Sequence, residues 1–407
     1  MILTDFKNTH FLLVLLTITI CFCCRSQPEN ELNNPFISDS LVLGADQVDK
    51  YLPLLKNKKV AIVANQTSLL NFKTASSAHL VDYLHSKNIT IQCVFAPEHG
   101  FRGKADAGEL IKDGIDKKTG IPIISLYGKN KKPSTQQLDG VDIIIFDIQD
   151  VGARFYTYIS TLHYVMEACA EAKTPLIVLD RPNPNGHYID GPVLEKTHTS
   201  FVGMHPVPVV HGMTIGEYAQ MINGEGWLAK KVQCDLFIVE MKNYTHQTVY
   251  SLPKKPSPNL PNDTSINLYP SLCFFEGTFM SAGRGTDMQF QLFGAPNLPP
   301  KKYPFAFTPS VNEGAKDPKF KNELCNGKDL RTTHKLSNLN LEWLIDAYND
   351  IENNKDFFSP FFTKLAGTKK LQEQIEKGYS YQEIRKTWLK GLNDYDVLRE
   401  KYLLYQR

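Results

Sequence analysis

Six short runs rich in valine and isoleucine, most of them separated by enough residues for a helix, restrict this chain more than anything else in it. They are Val60–Ala64, Ile91–Phe95, Ile121–Leu126, Val141–Phe146, Leu176–Leu179 and Leu236–Val239. Near-continuous apolar runs belong to strands covered on both faces, and helix-length spacers supply the crossovers of βαβ units. The expected architecture is α/β, with a mostly parallel sheet and helices on both of its faces. Polar residues follow each run: Asn65-Gln66-Thr67, Glu98-His99, Tyr127, Asp147 with Gln149 and Asp150, Asp180-Arg181 with Asn183, and Glu240. In open α/β sheets ligands bind beyond the carboxyl ends of the strands, so these clusters should converge on one cleft.

At 407 residues the chain has room for two domains. The strand and helix alternation places a larger one over 43–250, with helices expected at Ala75–Ser86, Ile159–Ala172 and Ile215–Asn223. Thr214 and Glu217 have the spacing of a capping box for the last of these. Prolines 253, 256, 258 and 261 rule out a regular element over Leu252–Asn262, which reads as a linker or a rigid wall. Residues 251–407 form a smaller, α-rich domain contributing to the cleft, with helical spacing at Leu339–Ile351 and Leu371–Ile375 and a second capping box at Ser380 and Glu383.

Lysine and arginine number 45 against 43 acidic residues, and no basic block is dense enough for a nucleic-acid footprint. Residues 1–26, with Lys7 ahead of the apolar stretch Phe11–Cys24, have the layout of a secretory signal. Export to the periplasm or the exterior is expected. Cys21, Cys23 and Cys24 offer a lipid tether as an alternative ending, although no small-residue lipobox precedes them. The remaining five cysteines show no CxxC spacing, so neither a zinc site nor a disulfide framework is expected. A nicotinamide or flavin enzyme needs Gly-x-Gly-x-x-Gly after its first strand, and this chain has Ala64-Asn65-Gln66-Thr67-Ser68. No cofactor is therefore expected.

Chemistry concentrates in a few clusters. In Phe95-Ala96-Pro97-Glu98-His99-Gly100-Phe101-Arg102, the proline ends a strand and leaves Glu98 at its mouth among aromatic residues. Apolar surroundings favour the protonated carboxyl that a general acid requires; the competing reading pairs Glu98 with Arg102. Asp147 and Asp150, followed by Gly152, Arg154 and Tyr156, could position a water, hold a sugar hydroxyl or brace Arg154. No metal-ligand spacing accompanies them. Arg181 and Asn183 lie in a loop stiffened by Pro182 and Pro184, which suits recognition of carboxylate and amide groups, or an Asx turn capped by Asp180. His211 follows an extended proline-containing stretch, and Arg284 in Gly283-Arg284-Gly285-Thr286-Asp287 is flanked for close approach to an anion, without the Gly-Lys-Ser/Thr ending of a phosphate loop.

The same stretches resemble the NamZ-type exo-β-N-acetylmuramidases, a family long classed only as a domain of unknown function. The likeness runs through V-A-N-Q-T at Val63–Thr67, F-A-P-E-H-G-F-R-G at Phe95–Gly103, S-L-Y-G at Ser125–Gly128, F-D-I-Q-D-V-G-A-R-F-Y-T-Y at Phe146–Tyr158 and D-R-P-N-P at Asp180–Pro184. It continues in H-G-M-T-I-G-E at His211–Glu217, S-P-N-L-P at Ser257–Pro261, E-G-T at Glu276–Thr278, G-R-G-T-D at Gly283–Asp287 and L-A-G-T at Leu365–Thr368. Met280 and Met288 depart from the family pattern without touching Arg284 or Asp287. The resemblance implies a Rossmann-like domain, a smaller C-terminal domain, and secreted glycosidase action that removes N-acetylmuramic acid from the non-reducing ends of peptidoglycan fragments. It makes Glu98 the catalytic glutamate.

On this reading Glu98 is the acid and Asp147 or Asp150 assists at the anomeric side. Substrate contacts are expected from Asn65, His99, Glu109, Arg154, Tyr156, Arg181, Asn183, His211, Arg284 and Asp287. One of Arg154, Arg181 and Arg284 should hold the lactyl carboxylate. The rival reading is a noncatalytic muropeptide-binding or sensing protein, which needs the pocket without the proton of Glu98.

Overall fold

The computed structural model describes residues 40–71, 77–102, 113–352 and 354–407; the expected leader 1–26 and Glu109 lie outside them. Seven strands make the main sheet: β1 (Lys59–Ala64), β2 (Thr90–Ala96), β3 (Gly114–Ile115), β4 (Pro122–Ser125), β5 (Ile143–Asp147), β6 (Leu176–Leu179) and β7 (Leu236–Val239). Their order is β3-β4-β2-β1-β5-β6-β7, and every pairing is parallel except that of the edge strand β3. The chain builds outward from β1 through β2 on one side and β5 on the other. That reversal opens the crevice in which doubly wound sheets hold ligands.

Both faces are covered because successive side chains point to opposite sides. Ala61, Val63, Phe95, Ile144, Phe146 and Val178 share a core with apolar residues of α2 (Tyr158–Ala172) and α3 (Ile215–Gly224). Val60, Ile62, Val94, Ile145 and Ile177 pack on the other side with Leu80, Val81 and Leu84 of α1 (Leu80–Ser86). This helix begins later than the spacing suggested, since His79 takes a two-residue strand pairing and then caps it by accepting from the Val81 amide. The capping boxes at Thr214 and Ser380 both form.

Beyond the proline-rich loop come α4 (Asp263–Leu272) and an antiparallel sheet of β8 (Leu292–Ala295), β9 (Phe305–Phe307) and β10 (Cys325–Asp329), in the order β8-β10-β9. Helices α5 (Glu342–Asp350), α6 (Pro360–Ala366), α7 (Lys370–Glu376), α8 (Tyr381–Lys386) and α9 (Leu389–Glu400) follow. Residues 41–407 form one compact unit. The segment after α9 runs back to the main sheet: the Tyr405 hydroxyl donates to Asp180 at 2.7 Å and accepts from the Met241 amide, the Leu404 amide donates to Glu217 at 2.9 Å, and the Gln406 carbonyl accepts from His246. None of the described helices is long and apolar enough to cross a membrane.

Candidate active site

Glu98 reaches the crevice through a turn that only a special backbone permits. Pro97 ends β2, then His99 and Gly100 both take left-handed φ, 70° and 75°, and the Gly100 amide closes on the Pro97 carbonyl. The left-handed conformation costs a non-glycine residue roughly 1 kcal/mol, so His99 is held there by its surroundings. The Glu98 carboxyl accepts from the Tyr127 hydroxyl at 3.0 Å on one oxygen and from the Thr157 hydroxyl at 3.0 Å on the other. Its surroundings are therefore more polar than the neighbouring phenylalanines suggested. Arg102 turns away from it to pair with Asp82 and Asp116.

A cavity of about 270 Å³ opens at Glu98. His99, Tyr127, Phe155, Tyr156 and Thr157 line it from the strand-end side, while Ser257, Asn259 and Leu260 supply a wall from the proline-rich loop. Tyr269, Glu276, Arg284, Phe361 and Leu365 come from the C-terminal half. Edge-to-face contacts of Tyr269 with Phe155 at 5.4 Å, Tyr156 at 5.8 Å and Phe290 at 4.9 Å make part of the lining an interlocked aromatic surface. Burial raises the Tyr269 hydroxyl well above its ordinary value, with Cys273 next and then both Glu276 and Glu98 adding to the rise. This phenol is thus within electrostatic reach of two carboxylates.

Of the residues expected in the site, Glu98, His99, Tyr156 and Arg284 line the cleft. The Arg284 guanidinium lies 3.2 Å from Glu276 and donates to the Gly314 carbonyl. The others among the described residues lie elsewhere. Asp147 is fully buried and held by Arg181 through two bonds of 2.6 and 3.0 Å, and the same guanidinium reaches the Leu69 carbonyl. That pair is a brace between β5 and β6, and neither Asp147, expected to assist catalysis, nor Arg181, expected to bind substrate, lines the cleft. Asp150 turns back to the Gly152 amide and faces His211 at 3.7 Å, and neither lines the cleft.

Arg154 is wholly buried and donates to the carbonyls of Pro192, Val207, Leu365 and Ala366 at 2.7–2.9 Å. It ties the end of α6 to the main domain, and burial lowers its guanidinium to about 9. It cannot offer a carboxylate the same donors. Asn183 bonds the Met213 carbonyl and the Asn185 amide, pressed so close to Gly152 that a Cβ there would lie 2.2 Å from its oxygen. Asn65, fully buried, links Thr67 to the Tyr158 hydroxyl, so it supports the lining without facing it. Asp287 is exposed and outside the cleft lining.

Sequence reasoning missed Asn259 and Glu276. Asn259 donates to the Gly314 carbonyl at 2.6 Å, while its buried Oδ1 meets no donor among the described residues. Both sit in motifs quoted above, S-P-N-L-P and E-G-T. Neither follows a strand, and so the rule that located Glu98 passed over them.

Comparison with known proteins gives a consistent result. The family model described as exo-β-N-acetylmuramidase NamZ matches in two parts, the N-terminal over residues 60–264 and the C-terminal over 267–405. The peptidoglycan β-N-acetylmuramidase NamZ of Bacillus subtilis (strain 168) is 39% identical over 381 residues, covering 87% of this chain and 89% of that protein. Crystal structures of two DUF1343 family proteins from Bacteroides fragilis superpose with TM-scores of 0.82 and 0.77 at 46% and 29% identity. Each alignment covers 90% of this chain and 99% of the other.

Proposed function

This chain belongs to the NamZ exo-β-N-acetylmuramidase family, and from that premise we infer a glycoside hydrolase that releases N-acetylmuramic acid from the non-reducing ends of peptidoglycan fragments in cell-wall turnover. The observation that carries this reading to the site is Glu98, fixed by two hydroxyls and a left-handed turn at the mouth of a small cavity. A volume of about 270 Å³ is near the lower end for small-molecule sites, which suits one terminal sugar better than a threaded polymer.

In the proposed mechanism Glu98 donates a proton to the glycosidic oxygen as the bond to the anomeric carbon breaks, and water supplies the hydroxyl that replaces it. Arg284 faces the lactyl carboxylate, the group that separates N-acetylmuramic acid from N-acetylglucosamine. Asn259, on the wall supplied by the proline-rich loop, brings an amide side chain to the acetamido group. The aromatic lining from Tyr156 and Tyr269 supports the apolar face of the ring. Export, by a leader over residues 1–26 or with a lipid tether at Cys21, Cys23 or Cys24, would bring the enzyme to its polymer.

Hydrolysis of a N-acetylmuramyl-N-acetylglucosamine disaccharide tests the assignment. Glu98→Gln is expected to lose on the order of 10³-fold in kcat with the fold intact. Equal turnover by both proteins removes Glu98 as the acid; tight binding of the disaccharide without turnover in either points to the noncatalytic muropeptide-binding alternative.

A further inference from the structure

In the two-carboxylate arrangement common to most glycosidases, a negative charge stands across the sugar from the proton donor, because the transition state resembles an oxocarbenium ion. Neither aspartate expected to supply it reaches the cleft. Asp147 is sealed against Arg181 and Asp150 is turned to the Gly152 amide. The C-terminal half presents a different group: Glu276 lines the same cavity as Glu98, its side chain 26% accessible.

The position of Glu276 is built in by its backbone. It lies in a 3₁₀ turn, Cys273–Gly277, running straight on from α4. Lys319 encloses its ammonium in carbonyls of that segment, donating to Phe275 at 3.1 Å, Glu276 at 3.4 Å, Thr278 at 2.5 Å and Met280 at 3.0 Å. Gly277 presses on α6 so closely that a Cβ would lie 2.5 Å from the Phe362 Cα. The turn is thus clamped from two directions through main-chain atoms, while the carboxylate itself faces Arg284 at 3.2 Å inside the cleft.

We propose that Glu276 is the second catalytic carboxylate of this site, contacting the sugar at its anomeric end and opposing the charge that develops there as Glu98 protonates the leaving oxygen. This rests on the muramidase reading and deepens it. Glu276 contributes charge at the carbon poorest in electrons; the glycosidic oxygen leaves with the proton of Glu98, water provides the hydroxyl to that carbon, and the remaining proton of the water returns to Glu98, so the reaction balances with no further reagent. Because Lys319 holds the turn by its carbonyls, removing the Glu276 side chain leaves the clamp in place.

The test uses the full chain with two substrates, the natural disaccharide and an aryl N-acetylmuramide whose leaving group needs no proton. Glu276→Gln should lose on the order of 10³-fold in kcat on both, with little change in KM. Glu98→Gln should lose the disaccharide but retain much of the aryl reaction. Azide or formate added to Glu276→Ala should restore at least about tenfold of aryl turnover by replacing the missing charge, a rescue that a misfolded or merely braced protein would not show. Aryl turnover within tenfold of wild type in Glu276→Gln, a loss confined to KM, or inactivity of Glu276→Ala that no small anion relieves would each overturn the proposal. Should Glu98→Gln cleave the disaccharide normally, the acid assignment fails while the aryl and rescue measurements still decide Glu276.

Discussion

At the ends of β5 and β6, Asp147, Asp180 and Arg181 are buried and bonded wholly within the protein; around the cleft, Glu98, Glu276 and Arg284 carry the same two kinds of charge and line a cavity. The numbers separate them: Arg181 and Asp147 side chains are 2% and 0% accessible, Arg284 and Glu276 24% and 26%. The first group satisfies every strand-end criterion for a site and is a brace. The second lies partly on elements that follow no strand. Charge at a sheet mouth therefore indicates function only where it reaches a cavity, and a pair sealed in the interior does not.

This contrast predicts that changes in the brace move stability and changes in the cleft move turnover. Arg181→Met should cost about 3–5 kcal/mol of unfolding free energy by stranding Asp147, read by chemical denaturation, while the folded fraction keeps its kcat. A large loss of kcat at unchanged stability would break the distinction. The fold should also be acid-sensitive through His79, which bonds the Asn65 carbonyl and is lowered to about 4 by burial. Its folded value lies below the ordinary 6.5, so its contribution is present above pH 6.5 and is lost as pH falls toward 4, about 3 kcal/mol in all. Asp180, pushed up to about 6 by burial, acts in the opposite sense. Comparing wild type with His79→Gln across pH 7 to 4.5 isolates the histidine, and identical slopes would remove it from the account. In the cleft, Arg284→Met should cost about 2 kcal/mol in kcat/KM on muramides, roughly 30-fold, and clearly less on the slow glucosaminide reaction; the low end of the range fits a guanidinium partly open to water. Parallel losses on both substrates would mean that Arg284 does not read the lactyl group.

The main sheet was legible because buried parallel strands leave apolar runs that nothing in the loops imitates; Leu176–Leu179 and Leu236–Val239 coincide with β6 and β7. Glu98 was legible for a related reason, since Pro97 and Gly100 mark where β2 stops. Which strand-end residues are consumed internally was not, because Arg181 meets Asp147 across two strands and Arg154 meets carbonyls more than 200 residues away in sequence. The antiparallel strands β8 to β10, three to five residues each, are too short for their apolar residues to stand out as runs, and they merged into an α-rich reading.

The return of Leu404–Gln406 to Asp180 and Glu217 has a consequence for how such a protein can be taken apart. The family model changes from one part to the next between residues 264 and 267, a natural place to cut or to splice. A fragment ending there would leave the Asp180 and Glu217 carboxylates without partners that only the far end of the sequence provides. Exchange of halves between relatives would then succeed only when residues 404–406 travel with the sheet they were matched to, which makes the two parts poor candidates for independent shuffling.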